Sequence, residues 1–210
     1  MKIHEPATLV TDYLLGGLAA FLGARLLRAA RGPGRRGTRL WGWALIATAV
    51  AAFAGGTWHG FAPEWSPASG RALWKVTVFA VGAASAAMLA GSALSTLRRP
   101  WRGVVLALVV IKLAAYLAWM TFHDEFRYVI YDYAPALLAV LLLHVAALLR
   151  RAPGAGWIVG GIVVSVLAAA IQALGISPHP RFNQNDLYHV VQMGALVLLY
   201  RGARELPPDR

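Results

Sequence analysis

The chain has 210 residues, of which 59% are hydrophobic and 14% are charged, and its mean hydropathy is +0.58. This composition excludes an ordinary soluble domain and predicts an integral membrane protein. The formal net charge of +11 does not indicate a nucleic-acid partner, because the arginines stand in short clusters between apolar runs. Cysteine is absent, so a metal site would need histidine and oxygen ligands.

Seven apolar segments follow one another, each near the ~20 residues that cross a bilayer. They cover residues 8–29, 40–62, 72–97, 104–122, 128–149, 156–176 and 187–203. The first is expected to be a retained helix rather than a signal peptide, since Glu5 precedes it and arginines follow it. Lipid offers no partner for unpaired backbone groups, so all seven should be helices. We predict an all-α polytopic membrane protein, a seven-helix bundle forming one domain over residues 1–210.

The charged residues predict the orientation of this bundle. Most of the 20 lysines and arginines fall in the first, third and fifth connections and in the C-terminal tail, which puts the N-terminus outside and the C-terminus in the cytoplasm. Seven of the nine acidic residues gather at the opposite, outer end, together with His4, His59, His123, His179 and His189, while Glu205 and Asp209 lie inside. The positive-inside rule does not require this second grouping. It therefore predicts a functional mouth at the outer end.

The seventh segment begins with a polar stripe, because Asn185, Asp186, His189 and Gln192 are spaced by three and four residues. Polar side chains are expensive inside a membrane and usually functional. His59 ends the second segment at a similar depth. The pattern predicts a catalytic zinc site with His59, His189 and Asp186 as ligands and water in an open position.

Other charged and polar side chains could complete that site. Asp12 could be a structural partner, a metal ligand or a group that orients a ligand, and Lys75 is expected to pair with Asp132. His123 and His179 are expected in solvated loops, from which either could close over the mouth.

Two further side chains lie away from the outer end. Lys112 is too deep in the fourth segment to reach a surface, so it should face the bundle interior or a cavity, where Tyr116 could share its hydrogen bond. His144 should hydrogen-bond to a neighbouring helix.

The sequence contains GGTWHG in the second segment, NDLYHVVQ in the seventh and EPATLVTDYLL in the first, in addition to seven predicted helices. Together these features resemble bacterial members of the superfamily of alkaline ceramidases, progestin and adipoQ receptors and Per1-like proteins. The resemblance implies zinc held by one histidine of helix two and two of helix seven. His59 and His189 match, whereas Asn185 stands at the other helix-seven histidine and Gly55 at a serine position.

Two functional hypotheses follow from the residues and the resemblance. The first is a zinc-dependent hydrolase of the bacterial cytoplasmic membrane that cleaves an amide or ester bond of a lipid-like substrate, with Asp186 and Asp12 as catalytic carboxylates. Asn185, Gln192, His179, His123 and Lys75 would then support the site. The alternative is a non-enzymatic, receptor-like protein that binds a lipid or small ligand and has lost the metal. Haem ligation by His59 and His189 is a third possibility. The oligomeric state is left open.

Overall fold

The computed structural model describes residues 2–209 and folds them into seven α-helices. They are α1 (Pro6–Ala29), α2 (Arg36–Phe61), α3 (Pro67–Thr96), α4 (Trp101–Phe122), α5 (Phe126–Leu149), α6 (Ala155–Ala173) and α7 (Gln184–Glu205). A short 3-10 turn, Ala62–Glu64, follows α2. The predicted all-α seven-helix fold is confirmed, while Met1 and Arg210 lie outside the described residues.

Helices α1 to α6 are each long and apolar enough to cross a membrane. Within residues 2–209, α7 does not meet that criterion, so the seventh membrane-spanning segment stays a prediction. The reason is the polar stripe at its start together with Arg201, Arg204 and Glu205 near its end. Asp186, His189 and Gln192 are nevertheless buried, because α7 packs between α1 and α6.

The helices are held together by one main core and one smaller cluster. The main core draws on α1, α2, α3, α5, α6 and α7, with Trp41, Ile158 and Leu199 among its most buried members. The smaller cluster contains Val78, Tyr116, Met120 and Val129 and joins α3 to α4 and α5. Helices α4 and α5 each pack against α3, and α4 contributes no residue to the main core described here. The fourth helix is therefore peripheral.

Side-chain oxygens cap the starts of α3 and α2. The Ser66 hydroxyl accepts a hydrogen bond from the Ser69 backbone N–H at the start of α3. The Asp209 carboxylate accepts from the backbone N–H groups of Arg36 and Gly37, at 2.8 and 2.9 Å, and thus caps α2. Oxygen acceptors at these positions satisfy N–H groups that have no partner within the helix. The C-terminal tail is thereby fixed against the first connection.

The two ends of the bundle differ in their side chains. The histidine end holds the starts of α1, α3, α5 and α7, and there the His4 backbone N–H donates to the Gly60 carbonyl at 3.1 Å. The arginine end holds the opposite helix ends, and there the Asp209 backbone N–H donates to the Gly34 carbonyl at 2.8 Å. The described parts of the two termini therefore lie at opposite ends, as an odd number of antiparallel helices requires.

Candidate functional site

Asp186, a predicted metal ligand, uses both carboxylate oxygens within the protein. The Thr8 hydroxyl donates to its Oδ1 at 2.8 Å, and the Asn183 backbone N–H donates to its Oδ2 at 2.7 Å. The Asn183 side chain in turn accepts from the backbone N–H of Asp186, which completes a capping box at the start of α7. Asp186 therefore begins α7 and ties it to α1. The spacing of Asn183 and Asp186 carries this signal in the sequence, although it was not recognised there.

His189, the second predicted ligand, is buried between two side chains of α1. Its Nδ1 lies 3.0 Å from the Thr11 hydroxyl, and its Nε2 lies 3.2 Å from Asp12 Oδ1. The Thr11 hydroxyl also lies within hydrogen-bond distance of the Ala7 and Thr8 carbonyls, but it has only one proton to donate. That proton can go to Nδ1, while the contact between Nε2 and Asp12 has ion-pair distance without hydrogen-bond alignment. The arrangement is an interhelical pair that joins α7 to α1.

His59 lies nearer to the surface of the same end. Its Nδ1 is 3.2 Å from Glu5 Oε2, but the alignment does not make a hydrogen bond. Below it, Gly56 lets α1 approach α2, since a Cβ at Gly56 would lie 2.7 Å from the Asp12 Cβ. A Cβ at Gly55 would meet only ordinary contacts, 3.6 Å from Thr77 and 3.9 Å from Asp12. His59, Asp12 and His189 all lie at the histidine end of the bundle, as predicted.

The remaining members of the polar stripe face a different helix. The Asn185 side-chain oxygen accepts from Gln172 at 2.9 Å, and the Gln192 amide donates to Ser165 at 3.2 Å. Both partners belong to α6, whereas Asp186 and His189 face α1. The stripe is thus divided between two neighbouring helices and does not surround one point.

A zinc ion implied by the family resemblance needs at least three converging donors. Over residues 2–209, the histidine and carboxylate side chains form no group of three or more that could hold a metal ion. Asp186 is occupied by its capping box, and Asn185 by Gln172. The donor set therefore does not fit the predicted zinc site of His59, His189 and Asp186.

Lys75 does not pair with Asp132, and that prediction is wrong. Its ammonium lies 2.7 Å from Asp124 Oδ1 and donates to the carbonyls of Met120 and His123. These carbonyls end α4, where unpaired acceptors attract a cation. Lys75 therefore fixes the end of α4 to α3. It pairs with Asp124 and not with Asp132 because it lies next to the end of α4.

The two loop histidines, His123 and His179, make no contact with His59 or His189 among the contacts described here. The His123 ring stacks on Trp119 with centroids 4.0 Å apart, and its Nδ1 lies 2.9 Å from the Trp119 carbonyl. His179 Nδ1 accepts from the Arg181 backbone N–H at 3.1 Å. Both side chains make local contacts within their own connections.

The true partner of Asp132 is Lys112, which sequence reasoning did not pair with it. Lys112 Nζ lies 2.7 Å from Asp132 Oδ2 and 2.8 Å from Ser85 Oγ. Ser85 Oγ is also 2.8 Å from Asp132 Oδ2. Lys112 does face a cavity, but Tyr116 does not share its hydrogen bond, because the Tyr116 hydroxyl donates to the Val78 carbonyl at 2.8 Å. The pair joins α4 to α5, with Ser85 of α3 between them.

A groove of about 290 Å³ lies beside this pair. We call it the α4–α5 groove, and its lining residues are Leu89, Lys112, Tyr131, Asp132, Pro135 and Ala136. Tyr131 is 67% exposed, so the groove borders the outer surface of the bundle. Pro135, which also lines the groove, lies inside α5 and has no N–H to donate to the carbonyl of Tyr131 four residues earlier. The groove thus combines an ion pair with a missing backbone hydrogen bond in α5.

A second cavity, of about 210 Å³, lies at the arginine end between α3, α5 and α6. His144 and Arg151 are among its lining residues. His144 is fully buried, and its Nε2 lies 3.1 Å from Ser92 Oγ on α3. The predicted hydrogen bond between His144 and a neighbouring helix is confirmed.

No curated protein matches the chain, and neither does any solved structure. The resemblance to the ceramidase and adipoQ receptor superfamily therefore stays a prediction. One family model matches residues 7–208, which include all but the first residue of α1 and the other six helices in full. The chain therefore belongs to the family described as a family of unknown function, DUF6962.

Proposed function

We propose that this chain is an integral membrane protein that binds an amphiphilic molecule, without metal and without catalysis, in the α4–α5 groove. The proposal keeps the binding alternative predicted from the sequence but moves its site from the histidine end to the groove. The groove is the observation that carries it, because polar groups there border both a cavity and the exterior of the bundle.

The exterior of α4 and α5 supports membrane insertion. Val110, Ile111 and Leu142 are each at least 60% exposed, although both helices are long and apolar enough to span a bilayer. Exposed side chains of this kind are stable when lipid surrounds them. The arginine clusters favour placing the arginine end in the cytoplasm and the histidine end outside. In the predicted bacterial cytoplasmic membrane, the groove would then open towards the lipid.

Polar groups that border lipid favour an amphiphile as the occupant. Lys112 lies in the middle of α4 and Asp132 in the second turn of α5, and their side chains are 24% and 7% exposed. An ionisable pair within a membrane-spanning segment is costly unless it has a function or firm partners. An amphiphile entering from the lipid can bring a polar head to the pair while its chain stays on the apolar surface.

A zinc-dependent lipid hydrolase is the competing proposal. It receives some support from the grouping of His59, His189 and Asp12 at one end. It is less favoured because Asp186 and Asn185 are occupied by other side chains and because His59 and His189 face separate carboxylates. Haem ligation meets the same difficulty, since His189 faces the Thr11 hydroxyl and Asp12.

Metal content separates the two proposals. We expect protein purified without added metal to contain far less than one zinc ion per chain, as measured by inductively coupled plasma mass spectrometry. Its unfolding temperature should not change when a chelator is added. Near-stoichiometric zinc that disappears in the His59→Ala/His189→Ala variant would overturn the binding proposal in favour of the hydrolase.

Photocrosslinking tests the position of the binding site. The protein, in phosphatidylcholine nanodiscs, would be irradiated with a long-chain alcohol that carries a diazirine near its hydroxyl, and the labelled residues would be mapped by mass spectrometry. We expect labels on the residues that line the groove, with competition by the unlabelled alcohol. Labelling of equal intensity at other lipid-facing positions, such as Phe21 and Leu138, would contradict the proposal.

A matched pair of variants controls for nonspecific partitioning. Leu89→Trp places bulk in the groove, whereas Leu138→Trp adds the same side chain to an exposed position on α5. Groove labelling should fall several-fold in the first variant and persist in the second, provided that both unfold at a temperature close to that of the wild type.

A further inference from the structure

We propose that the α4–α5 groove selects a neutral amphiphile with a hydroxyl headgroup, held by Lys112 and Asp132. This inference rests on the proposed binding function and names the ligand class for the same site. It follows from the hydrogen-bonding groups that the bundle leaves unused beside the cavity.

Asp132 provides one acceptor. Its Oδ2 faces both Lys112 Nζ and Ser85 Oγ, at 2.7 and 2.8 Å. Among the described residues no hydrogen bond reaches its Oδ1, so this oxygen can accept one from a ligand that enters the groove. A ligand O–H donated to a carboxylate makes a charge-assisted bond, which is stronger than a bond between neutral groups.

Lys112 provides the donor. An ammonium group has three protons, and two of them are directed at Ser85 Oγ and Asp132 Oδ2. The third proton can be donated to a ligand oxygen. Because Lys112 and Asp132 both line the groove, one hydroxyl group can accept from the ammonium while it donates to the carboxylate.

Charge excludes the other common headgroups. Lys112 and Asp132 neutralise each other, so a charged ligand would introduce an uncompensated charge where the surrounding dielectric is low. An ester or ether oxygen could accept from Lys112 but would leave Asp132 Oδ1 without a donor. A neutral hydroxyl group satisfies both.

The volume limits how much of the ligand is enclosed. The groove measures about 290 Å³, at the lower end of the ~300–1,000 Å³ of typical ligand sites. It can enclose a small headgroup and the first carbons of a chain. The rest of the chain would lie along the exposed apolar side chains of α4 and α5.

Three photoreactive probes with the same chain test this selectivity in nanodiscs. One ends in a hydroxyl, one in its methyl ether and one in a trimethylammonium group. We expect the alcohol to label the groove about 10-fold more efficiently than the methyl ether, because the ether leaves a buried acceptor unpaired. The charged probe should label it least.

A double variant provides the control for the polar groups. Lys112→Met/Asp132→Leu replaces the pair by apolar side chains, a change that proteins commonly tolerate. In this variant the alcohol and the ether should label the groove equally. Retained preference for the alcohol would overturn the assigned role of the pair.

The outcomes distinguish this inference from the function on which it rests. Equal groove labelling by alcohol and ether in the wild type, or a preference for the charged probe, would overturn the ligand class but leave amphiphile binding in place. Absence of groove labelling by all three probes would overturn both.

Discussion

The His189–Asp12 pair and the Lys112–Asp132 pair both join two helices inside the bundle, but their surroundings differ. His189 Nδ1 lies beside the Thr11 hydroxyl and Nε2 beside Asp12, and the neighbouring Asp186 accepts a hydrogen bond on each carboxylate oxygen. Lys112 and Asp132 retain unused hydrogen-bonding capacity beside a cavity. A buried polar group whose bonds are all satisfied locally contributes to the specificity of packing. One that faces a cavity with open capacity is a better candidate for a ligand.

The largest expected effect comes from breaking the groove pair on one side. Asp132→Leu leaves the Lys112 ammonium without its counter-charge and should lower the free energy of unfolding by about 3 kcal/mol. This is the lower end of the range for buried pairs, because the Lys112 side chain keeps 24% exposure. Unfolding in detergent measures the loss. The double variant Lys112→Met/Asp132→Leu should recover most of it, and equal losses in both variants would contradict the pairing.

A somewhat smaller effect is expected at the start of α7. Thr8→Val removes the hydroxyl that donates to Asp186 Oδ1 and should cost about 1.5–3 kcal/mol, the range for hydrogen bonds to charged groups. Thr48→Val is the matched control, since the Thr48 hydroxyl donates only to the Ala44 carbonyl within its own helix. Similar stability of the two variants would mean that the Thr8–Asp186 bond does not hold α1 to α7.

The close approach of α1 to α2 gives the next prediction. Gly56→Ala would force Asp12 away from α2 and should destabilise the fold by about 1–3 kcal/mol, as overpacking does. Gly55→Ala adds the same methyl group where the neighbours are at ordinary contact distance, so its effect should be much smaller. Thermal unfolding of the two variants compares them directly. A larger loss for Gly55→Ala would refute the packing described for Asp12.

The smallest effect is expected at the exposed edge of the histidine end. His4 Nε2 lies 2.9 Å from Glu64 Oε1, and both side chains are at least 32% exposed. His4→Asn should therefore change the free energy of unfolding by less than about 1 kcal/mol, which is typical of surface pairs. If His4→Asn lowered the free energy of unfolding as much as Thr8→Val does, burial would not explain how much each pair stabilises this molecule.

Sequence patterns were sufficient for the helices and for the grouping of polar residues at one end. Apolar length and periodicity predicted seven helices, and the alternation of arginine clusters with acidic connections predicted which helix ends lie together. They were less reliable for α7, whose polar stripe was read as one face around a metal site. Helical spacing places residues on a common stripe, but it does not specify which neighbouring helix each one meets.

Only the tertiary structure decided the partners of the two lysines. Lys75 and Lys112 could each have met a carboxylate near the start of α5 on the basis of sequence, because α4 and α5 are apolar on nearly every side and give no clear inward face. Their packing against α3 turns Lys112 towards Asp132 and leaves Lys75 with Asp124 and the end of α4. Sequence by itself determined the helices, the charge distribution and the candidate polar residues. Helix packing decided which of those residues contact one another and which border a cavity. Both outcomes depend on how each helix is rotated about its axis, and a nearly uniform hydrophobic sequence does not encode that rotation.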